Sequence, residues 1–226
     1  MSISGTDRTG APLSGGSSGL PGARMRSGSP LSAAAELYEG MVMRLTRFDG
    51  LGPLLLRLFL APVMLQAGWT KFSAFEDTAA WFGNPDWGLG LPFPELMVFL
   101  AASAELVGGA FLVLGLATRL VVLPLIFTML VAIFSVHWEN GWLAISDCSS
   151  WLANERVLEA CERKAAAISL LREHGNYGWL TGRGSITILN NGIEFGVTYL
   201  VMLMSLLFTG GGRFTSLDYW LRKGLT

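Results

Sequence analysis

At 226 residues, 51% hydrophobic and only 15% charged, with a mean hydropathy of +0.47, the chain is far from the balance of a soluble domain. Its apolar residues fall in blocks rather than at amphipathic spacing, so the solvent they call for is lipid. A net charge of −1 offers no basic field for nucleic acid, and Cys148 and Cys161 neither frame a disulfide-rich scaffold nor show the spacing of metal ligands.

Residues 1–30 are dominated by Gly, Ser and Pro and cannot bury enough apolar surface to offset chain entropy. They read as a disordered tail without the apolar core of a signal peptide. From 31 to 48, Leu37, Met41, Leu45 and Phe48 recur at helical spacing with Arg44 and Arg47 between them. That pattern suits an amphipathic helix on the inner membrane surface, or an extension of the first span.

Residues 49–226 hold four runs long enough to cross a hydrocarbon core, which takes about 20 apolar residues. They lie near 51–72, 95–116, 118–138 and 191–209. Pro62 and Pro124 sit inside the first and third, where neighbouring helices can re-satisfy the freed carbonyl. Spans two and three are joined by "GLATRL" and must form an antiparallel hairpin. Between spans three and four, an insertion at 139–189 carries "SWLANERVLEACERKAAAISLLREH", whose apolar positions share one face and which reads as an amphipathic helix ending at Gly175. The Gly- and aromatic-rich stretch after it suits an outer cap. If the stretch between Cys148 and Cys161 is mostly helical, they stand about 15 Å or more apart, and a disulfide requires the chain at Cys148 to fold back. The expected fold is therefore all-α: an integral membrane four-helix bundle with an outer amphipathic helix between spans three and four.

Arg44, Arg47, Arg119, Arg213, Arg222 and Lys223 cluster at one set of span ends, whereas the first loop on the other side has Lys71 against Glu76, Asp77 and Asp86. Cytoplasmic segments carry the cationic excess, so both termini are expected in the cytoplasm. With that orientation Arg57 lies toward the inner face, Gln66 and Lys71 near the outer boundary, and Glu105 near the midplane. The third span delivers His137 and Trp138 outward and the fourth begins there with Asn190, Asn191 and Glu194. Lys71 and His137 at a lipid interface can simply snorkel. Glu105 is too short to do so, and a midplane carboxylate costs about 2.5–3.5 kcal/mol on insertion scales, so it should face the bundle. Its expected partner is Arg57, about 6 Å away in depth by helical rise. Glu105, Arg57 and His137 are the expected catalytic residues, with Lys71, Gln66, Glu194 and Trp138 as the substrate-binding set and no metal site assigned. His137, Met129 and either cysteine could offer Cu(I) soft ligands, but core packing explains them as well. His174 suits a helix C-terminus.

Three stretches carry a resemblance: "RLFLAPVMLQAGWTKF", "LAASAELVGGAFLVLGLATRL" and "LPLIFTMLVAIFSVHWENGW". Together they resemble the DoxX family of small four-helix membrane proteins over about residues 50–142, resuming at "NNGIEFGVTYLVMLMSLLFTGGGRFTSLDYW". The nearest resemblance is to DoxX-like proteins associated with copper-binding modified peptides, although the long insertion departs from the short family form. The resemblance implies a multi-pass protein of the bacterial inner membrane, and the family takes its name from a membrane subunit of a thiosulfate:quinone oxidoreductase. Three roles follow: a redox-linked, quinone-side component of an oxidoreductase system; a non-catalytic partner docking a periplasmic enzyme or copper-binding peptide during its maturation; or a path for a small solute. The asymmetric polar groups favour the first two. Quinone is the cofactor they fit best and copper ranks below it; the lipid bilayer is the certain partner, with oligomerisation left open.

Overall fold

The computed structural model describes residues 30–225. The expected tail at 1–30 therefore lies outside the described residues except for Pro30, which opens helix α1 (Pro30–Leu45). A 3-10 turn, Thr46–Phe48, follows. α1 is a unit separate from the body that begins at Leu45. No strand forms among the described residues, and an isolated antiparallel bridge joins Ile145 to Leu189.

Among the described residues, three helices are long and apolar enough to cross a membrane. They are α2 (Leu51–Ser73), α4 (Pro94–Leu114) and a continuous helix over Thr118–Asn140. The last is built from α5 (Thr118–Val131), a π-helical stretch Ala132–His137 and a 3-10 turn Trp138–Asn140. The fourth expected run is apolar but forms a shorter helix, α8 (Glu194–Thr209, 16 residues). Its start is set by hydrogen bonds: the amides of Gly192, Ile193 and Glu194 donate to the carbonyls of Leu143, Gly141 and Trp142, so residues 191–193 pair with the insertion instead of extending the helix.

α2 packs most extensively on α4, and α8 on α5. Small residues permit the first contact. A Cβ on Gly68 would come within 2.9 Å of the Ala102 carbonyl, and one on Gly109 within 3.1 Å of the Leu65 amide. Where lipid surrounds a bundle, such close backbone approach replaces water exclusion as the source of association. Leu60, Met64, Leu112, Val122, Leu125, Leu203 and Leu206 form the core common to α2, α4, α5 and α8. A short helix that the sequence reading does not anticipate, α3 (Phe75–Gly83), lays Ala79 and Phe82 against Val98 of α4.

The bundle has two distinct ends. At the hairpin end, Gly115 and Ala117 take left-handed backbone conformations (φ 65° and 46°) that reverse the chain between α4 and α5. The terminal helix α9 (Leu217–Leu225) closes this end. Its Asp218 carboxylate accepts from the Ala117 and Thr118 amides at 2.6 and 2.9 Å, capping α5 from a hundred residues away in sequence.

At the insertion end, α6 (Glu155–His174) is capped by the Asn154 side chain, which accepts from the Val157 amide, and it ends at Gly175 as its sequence indicates. A single-turn helix, α7 (Tyr177–Leu180), follows. Cys148 and Cys161 form a disulfide with Cα atoms 6.4 Å apart. The two close because α6 begins at Glu155 rather than Ser150: the intervening residues turn, with Asp147 accepting from the amide and hydroxyl of Ser149. Those two hydrogen bonds hold the Asp147 carboxyl below the usual carboxylate range.

Candidate functional site

Side-chain direction determines which charges meet. In a helix every Cα–Cβ bond leans toward the N-terminus, and α2 and α4 run antiparallel. Lys71, near the end of α2, therefore leans back into the bundle, while Glu105, midway along α4, leans toward the insertion end. The two converge. Lys71 Nζ donates to both carboxylate oxygens of Glu105, at 2.9 and 2.7 Å. The carboxylate side chain is 3% exposed and the lysine side chain 26%.

The same rule separates Arg57 from Glu105 and corrects the expected pair. Arg57 leans away from Glu105, toward the end of α4, where carbonyls lack helical partners. Its guanidinium donates to the carbonyls of Leu112 (3.1 Å), Val113 (3.4 Å) and Thr215 (2.8 Å), and the residue is fully buried. Matched depth of Cα atoms was insufficient, because a long side chain reaches about a turn and a half from its own Cα. Arg57 thus ties α2, α4 and the segment before α9 together at the hairpin end, away from the polar groups with which it was expected to act.

His137 closes the π-helical stretch, and such widened turns often re-aim a functional side chain. Its Nδ1 lies 2.8 Å from the Asn191 carbonyl. A carbonyl only accepts, so Nδ1 carries the proton, and in the neutral ring Nε2 holds the lone pair. Asn140 Nδ2 donates to the same carbonyl at 3.0 Å. Glu194 accepts from the Ala144 amide at 3.0 Å. Lys71, His137 and Glu194, expected in one outer polar layer, thus each have a different partner. Gln66 donates to Thr70 one turn away on its own helix (3.3 Å), and Trp138 is exposed and packs on Phe134. His174 is exposed at the end of α6, beside Glu173.

Other residues that organise these regions were invisible as functional positions. Buried Asn190 donates to the carbonyls of Asn140 and Leu143 (2.8 and 2.7 Å), fixing the return of the insertion to α8. Asp218 caps α5 across the bundle. A polar residue at a span boundary is the only sequence signal for the first; the second has none. Among the described residues no group of three or more His, Cys, Asp or Glu is placed to hold a metal ion.

The ammonium of Lys71 has three N–H donors. Glu105 accepts two, and the lysine is not fully enclosed, so the pair can present a cationic donor to an oxygen-bearing ligand and a carboxylate to a proton.

Comparison with known proteins bears on the same region. Residues 52–138 match the DoxX family model. The chain is 36% identical over 93 residues to a Bacillus subtilis (strain 168) protein named "Putative oxidoreductase CatD". That similarity covers 41% of this chain and 65% of the relative, so the chain spans just under two thirds of the relative's length. No solved structure matches. The matched segment contains Arg57, Gln66, Lys71, Glu105, His137 and Trp138 and stops before the insertion.

Proposed function

We propose that this is a DoxX-like, four-span component of a redox system in the bacterial plasma membrane, with both termini cytoplasmic and Lys71 and Glu105 serving a quinone in the outer half of the bilayer. The observation that carries the proposal is the ion pair itself, its carboxylate enclosed and its lysine side chain partly exposed. An intramembrane ion pair is costly, and where one is kept it commonly marks a proton or substrate path. The name of the Bacillus relative agrees with a redox setting.

The residues fit a quinone headgroup. A quinone would supply the capacity to take up or release two electrons and two protons. Lys71 would hold one of its oxygens through the third N–H, and Glu105 would accept or return a proton through the carboxylate that the lysine keeps oriented. His137, its Nδ1 proton fixed by Asn191, would offer Nε2 as a second base nearer the water boundary. The orientation is supported by the cations grouped at the hairpin end and by the disulfide at the insertion end, a bond that persists in oxidising compartments.

The test is to purify the full-length protein in mild detergent and quantify co-extracted quinone. Wild type and Lys71→Arg are expected to retain it, and Lys71→Gln and Glu105→Gln to lose it at equal protein yield. Absence of quinone from wild type, or equal retention by the Gln variants, rejects the proposal.

A second reading rests on the insertion, where Trp151 is 90% and Trp179 78% exposed. Large apolar residues projecting there suit docking of a periplasmic protein or peptide. Crosslinking from those positions to a defined partner, with no quinone bound, would favour it.

A further inference from the structure

At the hairpin end, a cavity of about 560 Å³ lies between α9 and the adjoining ends of α5 and α8. Four of its lining residues are cations, Arg119, Arg213, Arg222 and Lys223, and among the described residues none of the lining is acidic. The one acid of α9, Asp218, has both carboxylate oxygens on the hairpin amides. The cations are positioned by the fold. Arg119 Nη2 donates to the Phe208 carbonyl at the end of α8 (2.9 Å), which takes one of five guanidinium donors. Arg213 lies over the Phe214 ring at 4.8 Å, and Lys223 over Trp220 at 5.3 Å.

α9 supplies an independent indication. Leu217, Trp220, Leu221 and Leu225 recur at helical spacing and are exposed, whereas Tyr219, Arg222 and Lys223 fall on the opposite side and line the cavity. A short helix with a bare apolar stripe and a cationic face, at the ends of membrane-spanning helices, has the make-up of one lying in the interfacial layer. Tyr219 and Trp220 sit in contact there (ring centroids 5.4 Å), as aromatic residues do at headgroup level.

We propose that this cavity is a binding site for the phosphate of an anionic phospholipid, held by Arg119, Arg213, Arg222 and Lys223 while the acyl chains run along the apolar bundle. The ligand chemistry is a phosphate oxyanion, and the position at a membrane boundary assigns it to a lipid rather than to a soluble phosphate. Basic pockets beside membrane helices recognise such headgroups, each cation near the surface contributing about 1 kcal/mol, a factor of about five in binding.

The full-length protein in a nonionic detergent is titrated with phosphatidylglycerol, phosphatidylcholine or inorganic phosphate, reading thermal midpoint and bound lipid by native mass spectrometry. Phosphatidylglycerol is expected to raise the midpoint and remain bound; phosphatidylcholine and inorganic phosphate at equal concentration are not. Arg213→Gln combined with Lys223→Gln should weaken phosphatidylglycerol binding about thirtyfold, with the lipid-free midpoint reporting whether the variant is folded. Arg163→Gln, at the opposite end, should bind as wild type does. An equal response to phosphatidylcholine, an equal response to inorganic phosphate, or undiminished binding by the folded double variant overturns the proposal.

Discussion

α2 turns two long cations toward α4, Arg57 fully buried and Lys71 partly exposed, and the protein treats them differently. Lys71 meets a full negative charge, Glu105, at 2.7 Å. Arg57 hydrogen-bonds only to carbonyls, those of Leu112, Val113 and Thr215, and the Asp218 carboxylate acts on it without a hydrogen bond. The difference follows from where each side chain leans. Lys71 leans into mid-helix, where every backbone carbonyl of α4 is already engaged and only a side chain can answer it. Arg57 leans to a helix C-terminus, where free carbonyls and the negative end of the helix dipole receive a cation. A chemically active site suits the first environment, since its partner can change charge; carbonyls cannot, and the second environment is a structural clamp.

The comparison breaks first at Lys71→Met. That change leaves the Glu105 carboxylate enclosed without its cation, and loss of one partner of a buried pair costs about 3–5 kcal/mol. Reversible unfolding in mixed micelles should show this loss, with Lys71→Met combined with Glu105→Gln more stable than Lys71→Met alone. Additive losses would mean that the two charges are independent. Arg57→Met leaves no enclosed charge unpaired, since Asp218 keeps the Ala117 and Thr118 amides, and takes a donor from the Leu112, Val113 and Thr215 carbonyls, so about 1–3 kcal/mol is expected in the same assay. Thermal stability should fall while quinone retention by the folded fraction stays at the wild-type level; if quinone is lost as well, the division between active pair and clamp is wrong. The smallest effect belongs to Asp218→Asn, which weakens a cap while keeping its shape. About 1 kcal/mol should be lost, and amide hydrogen exchange should accelerate first at Ala117 and Thr118.

Much of this architecture was legible in the sequence, because a membrane span is recorded in contiguous residues. The runs at 51–72, 95–116 and 118–138 fall on long apolar helices, and the hairpin follows from the shortness of "GLATRL". Glu105 was readable as bundle-facing because no short carboxylate can escape from mid-span. Its partner was not, because Cα depth singles out Arg57, whereas side-chain lean carries Arg57 away from Glu105 and brings Lys71 to it. The disulfide was obscured by the start of α6: five residues of turn in place of helix bring Cys148 back to Cys161. Long-range polar caps such as Asp218 on Ala117 leave no local periodicity at all.

One dimension of α8 reaches beyond the protein. Its 16 residues rise about 24 Å, against the roughly 30 Å hydrocarbon core that α2 and α4 match. Were α8 to span, the bilayer beside it would have to thin, or flanking residues snorkel, to cover the shortfall, giving the protein a lopsided lipid footprint. Such mismatch costs fractions of a kcal/mol per Å, enough to make the α8 flank attract other short helices and to bias where in the membrane the protein gathers.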